Sequence, residues 1–209
     1  PDAVDLEKVA KAAAEEALSG LEAKQAPSGV YRALLRNDVA GTLLSTFSGV
    51  FSADNAQRGL SRLKGREGEA VAAQCVTLMD DPHRPGSASS APFDGEGVAT
   101  APKAVIEGGQ LTTLLHNLKT AHKQGVNTTA NAARPGYASP VGVAPTNFYF
   151  EPSDASFDAM LEKLGDGLLI TSLQGMHAGA NPITGDFSLA AKGFTVKDGR
   201  IGEAVNQIT

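Results

Sequence analysis

The 209-residue chain carries 23 acidic against 18 basic side chains, a net charge of −5, and no long basic run, so it lacks the electrostatic footprint that strong non-specific nucleic-acid binding requires. Apolar residues make up 42% and charged residues 20%, with frequent Gly and Pro, which describes a turn-rich folded protein and excludes a disordered one. No stretch approaches the roughly 18 apolar residues of a membrane span, and no basic-then-apolar leader opens the chain. The lone Cys75, in an apolar run, reads as a small buried hydrophobe, and a cytoplasmic location is expected.

In chain order, Leu6, Val9, Ala13, Ala17 and Leu21 recur at helical spacing opposite Glu7, Lys11, Glu15 and Glu16, predicting an amphipathic helix from Asp5 to about Lys24. Gln25 to Gly29 breaks it, and a β-prone run follows from Val30 to Leu35. The expected division is residues 1–26, a helix and linker from the end of an N-terminal domain, then a C-terminal α+β domain over 27–209. That domain is expected to be truncated at its C-terminal end, because the run from Ile201 to Ile208 reads as a strand still in progress. A second helix from Asp38 to Phe51 is capped by Asn37 or Asp38 and carries Val39, Leu43, Leu44, Phe47, Val50 and Phe51 on one stripe. It contains no His, Glu or Cys.

Residues 52–70 read as a short helix and a polar connection, Val71 to Met79 as a strand, and the Pro-, Gly- and Ser-rich Asp80 to Gly97 as a long loop. Hairpins are predicted to turn at Gly108-Gly109 and Asp198-Gly199. Between them come a helix near Leu114 to Lys123 stopped by Gly125, a loop over 127–145 and a strand from Thr146 to Glu151. A Ser156-capped helix closed by Gly165 and strands over 168–174 and 186–196 complete the chain. Helices interspersed with hairpins, without regular βαβ alternation, predict an α+β fold of antiparallel sheets, with a barrel-like arrangement among the options.

Candidate chemistry is sparse. His116 and His122 do not lie one turn apart, and no His pair shares a helix face as a zinc hydrolase needs. Asp80, Asp81 and His83 resemble hard-cation ligands, and Asp94 with Glu96 could pair as acid and base, but turn chemistry accounts for both more cheaply. Arg58, Arg62, Lys64 and Arg66, interrupted by Glu67 and Glu69, read as a solvated face. Gly95-Glu-Gly97 lacks the context of a dinucleotide fingerprint, and Ser172, His177, Asp186 and Ser188 lack the nucleophile elbow of a triad. The most unusual stretch, Gln174 to Ser188, offers His177, Asn181, Thr184 and Asp186 as a loop that either lines a cleft or interface or is simply a demanding turn.

Four segments carry a resemblance: Pro92-Phe-Asp-Gly-Glu-Gly-Val98, Leu115-His-Asn-Leu-Lys-Thr-Ala121, Thr146-Asn-Phe-Tyr149 and His177-Ala-Gly-Ala-Asn-Pro-Ile-Thr-Gly-Asp-Phe-Ser188. Together, and in this order, they resemble the PmbA/TldE-type subunit of the TldD/PmbA metalloprotease family, over roughly Leu6 to Thr209. The resemblance implies a heteromeric protease, active in peptide maturation or degradation of unfolded substrates, whose TldD-type subunit binds zinc on a His-Glu-x-x-x-His helix. The helix Asp38 to Phe51 would occupy the equivalent place here, so no catalytic or metal residue carries over and no cofactor is expected in this chain. Implied partners are a zinc-bearing TldD-type subunit, unfolded peptides and a second copy of the chain, with neither nucleic acid nor membrane. A self-sufficient hydrolase using His177 and a stand-alone peptide-binding module are the competing readings.

Overall fold

The structure, a computed structural model, describes residues 5–209. In chain order its elements are α1 (Leu6–Ser19), β1 (Lys24–Gln25), β2 (Ala33–Leu35), α2 (Asn37–Phe47) with a 3-10 turn (Ser48–Phe51), α3 (Ala53–Gln57), β3 (Leu78–Asp80), β4 (Lys103–Glu107), β5 (Gln110–Leu111), α4 (Leu118–Gln124), β6 (Ala132–Ala133), β7 (Gly142–Val143), β8 (Phe148–Phe150), α5 (Phe157–Leu164), β9 (Gly167–Gln174), α6 (Met176–Gly179), β10 (Ala190–Lys197) and β11 (Arg200–Ile208). The class is α+β, as expected. The sheets are open, and no barrel closes among the described residues.

The chain divides into two units. The first takes residues up to Leu43, Ser153–Ala180 and Phe187–Thr209, and the second takes Leu44–Pro152 with Asn181–Asp186. The first is built on a sheet of order β1-β11-β10-β9-β2. Its three long strands are antiparallel, but the short end strands β1 and β2 run parallel to β11 and β9. The β-prone run over 30–35 contains β2 while the two-residue β1 carries no such signal, and the direction of both is set by where the chain returns, so local sequence does not show that these pairs are parallel. Two apolar clusters build this unit, one around Val39, Leu168, Ile170, Ala191 and Val205, the other joining Leu161 and Leu164 of α5 to Leu169 and Val196. Ser156 caps α5 through Ala159 N at 3.1 Å, and Arg32 donates to the last carbonyls, Leu164 O at 2.8 Å and Lys163 O at 2.9 Å.

The second unit holds a sheet of order β5-β4-β3-β8 and the small pair β6-β7. Its core gathers Phe51, Leu78, Val105, Leu111, Leu114 and Leu115, with Phe51 edge-on to Phe148 at 5.2 Å. Both predicted hairpin turns are present, with positive φ at Gly108 and Gly109 and at Asp198 and Gly199.

Three of these element boundaries, and the burial of Cys75, differ from the sequence reading. The strand expected over 71–79 shrinks to β3, because Val71 N and Ala72 N donate to Gly109 O and Gly109 N donates to Val76 O, which wraps this segment around the hairpin turn as a loop. Cys75 lies on that loop and is exposed, not buried. The helix α4 begins at Leu118 because the Asn117 side chain accepts from Thr120 N and fixes the start there, leaving Leu114 and Leu115 extended and buried in the core. The strand expected from residue 186 begins at Ala190, after α6 and the loop that follows it.

Candidate functional site

The loop from Gly175 to Ser188 is held by backbone geometry that its sequence encodes. Gly175, at φ 85°, turns the chain off β9 into α6, where His177 is exposed. Ser188 N donates to Gly179 O at 2.7 Å, and a Cβ on Gly179 would lie 2.1 Å from Ser188 O, so only glycine permits this approach. Ala180 bridges Phe187. Within Asn181–Asp186, the Asn181 side chain accepts from Ile183 N at 3.0 Å and Thr184 N at 3.3 Å, while Asn181 N donates to Asp186 O at 2.8 Å. Arg62 Nη1 donates to Thr184 O. Asn181, Thr184 and Asp186 thus share one closed, exposed turn, and no hydrogen bond described joins Ser172, His177, Asp186 and Ser188 into a relay.

The remaining motif residues form a polar framework in the second unit, buried at Asp80, Asn117 and Asn131 and half-buried at Asp81, Asp94 and Glu96. Asp94 Oδ1 accepts from Glu96 N and Val98 N, the turn chemistry expected of it, and its Oδ2 accepts from Ala132 N at 3.0 Å. Glu96 Oε2 accepts from Leu118 N at 2.8 Å, so this carboxylate caps α4 beside the Asn117–Thr120 capping box. Asp81 also behaves as a turn former, accepting from His83 N at 2.9 Å. Asp80 does not. Fully buried, it accepts from Thr146 N and Asn131 Nδ2, both at 2.7 Å, and pairs with Lys103 Nζ at 3.2 Å. Neither this pairing nor the Glu96 cap is visible in local sequence, because every partner lies more than 20 positions away.

The basic stretch is solvated as expected: Arg58 pairs with Asp54 and Arg66 with Glu69. In the first unit a groove of about 750 Å³ runs between α1 and the sheet, lined among others by Glu16, Arg36, Ser172, Lys192, Phe194 and Asn206. Arg36 anchors it, bonding Asp38 through Nε at 2.7 Å and Nη2 at 2.8 Å and Glu16 through Nη1 at 3.1 Å. The hydrogen bonds from Arg36 hold the Asp38 carboxyl below its ordinary value. No residue of the 181–186 turn lines this groove.

Metal chemistry can be tested on these side chains. The sole acid of α2, Asp38, is engaged by Arg36, and the helix holds no His, Glu or Cys. Among the described residues no three His, Cys, Asp or Glu side chains converge as a ligand set. These residues do not fit a zinc centre, which takes three or four such ligands in tetrahedral array.

A family model described as the PmbA/TldA metallopeptidase C-terminal domain matches residues 28–209. The chain belongs to this family. Among curated relatives, a metalloprotease of Methanothermobacter thermautotrophicus is 32% identical over 98% of this chain and 45% of its own length. Metalloprotease PmbA of Escherichia coli O157:H7 is 31% identical over 94% of this chain and 41% of its own. The chain therefore spans less than half the length of these relatives. A crystal structure from Thermotoga maritima, named as a candidate modulator of a DNA gyrase, superposes with a TM-score of 0.92 at 44% identity, covering 99% of this chain and 47% of that one. TldE of Thermococcus kodakarensis superposes at 0.84 with 25% identity over 96% of this chain and 46% of its own. The likeness is to the C-terminal part of PmbA/TldE-type proteins, and no helix described is long and apolar enough to cross a membrane.

Proposed function

We propose that this chain is the C-terminal part of a PmbA/TldE-type subunit that supports a zinc-bearing TldD-type partner in a cytoplasmic peptidase complex without supplying zinc ligands itself. The observation that carries the reading is α2, which holds no His, Glu or Cys and whose one acid, Asp38, is paired with Arg36, while no ligand trio converges among the described residues. The subunit's part in proteolysis is then to shape the enclosure and hold unfolded peptide substrates. Support for peptide holding comes from β11, whose outer edge pairs with β1 at Val205 and Asn206 among the described residues, so that an added strand could extend along the stretch from Arg200.

Metal analysis tests this. The protein purified without chelator or tag-borne metal should hold near-zero zinc alone, and the complex with its TldD-type sister should hold about one equivalent, carried by the sister. Stoichiometric zinc in the lone protein, or peptidase activity of the lone protein that His177→Ala abolishes with folding intact, overturns it in favour of a self-sufficient enzyme.

A further inference from the structure

The ring of His116 is buried, 2% exposed, at the point where three pieces of the second unit are tied together. Its backbone N donates to Thr129 Oγ1 at 2.6 Å, and its carbonyl accepts from Asn131 N at 3.0 Å and Thr128 Oγ1 at 3.1 Å, which fastens the segment after α4. Its Nδ1 lies 3.2 Å from Thr120 Oγ1, and that hydroxyl also accepts from Asn117 N at 3.1 Å in the α4 capping box. Thr129 continues the chain of bonds to Asn131 Oδ1 at 2.8 Å, and Asn131 to Asp80.

The partner of the ring is thus a hydroxyl with no carboxylate to receive an imidazolium. The charged groups nearby give it little support. Glu67 acts on it favourably but is bonded to Gln124 Nε2 at 2.9 Å. Asp54 on α3 pairs with Arg58 at its end, Asp80 pairs with Lys103, the Glu96 carboxylate is engaged by Leu118 N, and α4 itself adds Lys119, His122 and Lys123. A charge on this ring would have to be desolvated without a counter-ion, which a buried site resists strongly.

We propose that His116 is an acid-sensitive latch, whose protonation releases the start of α4 together with the 126–133 segment while the five-stranded unit stays closed. Burial pushes the ring below the ordinary histidine value of 6.5, with Glu67 offsetting only part of this. The open state therefore binds the extra proton more readily. The latch contributes fully above about pH 6.5 and is lost as pH falls through that value towards the lower folded one. This inference stands independently of the proposed role in proteolysis.

Hydrogen exchange followed by mass spectrometry, corrected for intrinsic exchange rates, tests it. Protection in peptides spanning 114–131 should fall roughly tenfold or more between about pH 7.5 and 5, while peptides spanning 190–208 change little. His116→Gln, which keeps a polar side chain without a titrating ring, should remove that pH dependence. An equal loss of protection in both regions, or a loss that persists in His116→Gln, overturns the proposal. Should that variant fail to fold, the ring titration of His116 by NMR in the unmodified protein decides: a midpoint well below about 6.5 upholds it, and one at or above 6.5 sinks it.

Discussion

Asp80 and Asn131, far apart in the chain, meet at 2.7 Å through Asp80 Oδ2 and Asn131 Nδ2, with Asp80 fully buried and Asn131 2% exposed. The same carboxylate accepts from Thr146 N and Lys103 Nζ, so one side chain ties β3 to β4, to the loop before β6 and to the approach to β8. Removing it leaves a half-buried ammonium and two further donors without their acceptor. Asp80→Ala is expected to cost about 3–5 kcal/mol, the range for breaking a buried charge pair by deleting one partner. Urea unfolding followed by fluorescence or circular dichroism measures it, and a loss below about 1 kcal/mol would mean that water replaces the carboxylate at little cost.

The start of α4 gives a second, smaller expectation. Asn117→Ala removes the acceptor for Thr120 N, and the usual cost of an N-cap is about 1 kcal/mol, rising towards 2 in buried settings such as this. Glu96→Gln keeps an acceptor for Leu118 N but removes the negative charge at the helix start, so it should cost less, about 0.3–1 kcal/mol, and lose less in high salt. A larger effect for Glu96→Gln than for Asn117→Ala would show that the carboxylate has a role beyond capping.

These residues also show what the sequence could and could not declare. The Gly108-Gly109 and Asp198-Gly199 turns and the Ser156 cap were legible because each is settled within a few residues by backbone sterics or a local side-chain bond. Asp80 and Asp81 look alike in sequence, yet one bonds its neighbour His83 and the other is consumed by partners from three distant segments. Nothing local distinguishes them. The stretch from Gln174 to Ser188 stands out by its composition, and the structure explains part of that composition through Asn181 and Gly185, but the hold from Arg62 is non-local and has no local sequence signal.

Two glycines should respond to alanine in opposite directions. Gly193 sits at the irregularity between β10 and β9, where a Cβ would lie 1.9 Å from Leu169 O. Gly193→Ala must push the strands apart and is expected to destabilise by about 1–3 kcal/mol, comparable to overpacking a core. Gly41 lies exposed within α2 with nothing within 4 Å of an added Cβ. Gly41→Ala should stabilise by about 0.5–1 kcal/mol through the lost freedom of the unfolded chain. Chemical denaturation of the two variants side by side checks both signs, and a neutral Gly193→Ala would contradict the close approach described here.

The grip of Arg62 on Thr184 O can be separated from the turn's internal bonds. Asn181, Gly185 and Asp186 close the turn on themselves, so Arg62→Ala should leave the overall stability within about 0.5 kcal/mol, as for other surface substitutions. It should nonetheless raise local opening of residues 181–187, read as faster hydrogen exchange there and as quicker cleavage by a protease of broad specificity. Asn181→Ala, which removes the acceptor for both Ile183 N and Thr184 N, should open the same residues further. Unchanged exchange in Arg62→Ala would mean that the turn holds its shape without the guanidinium, leaving Arg62 free for other contacts on that exposed surface.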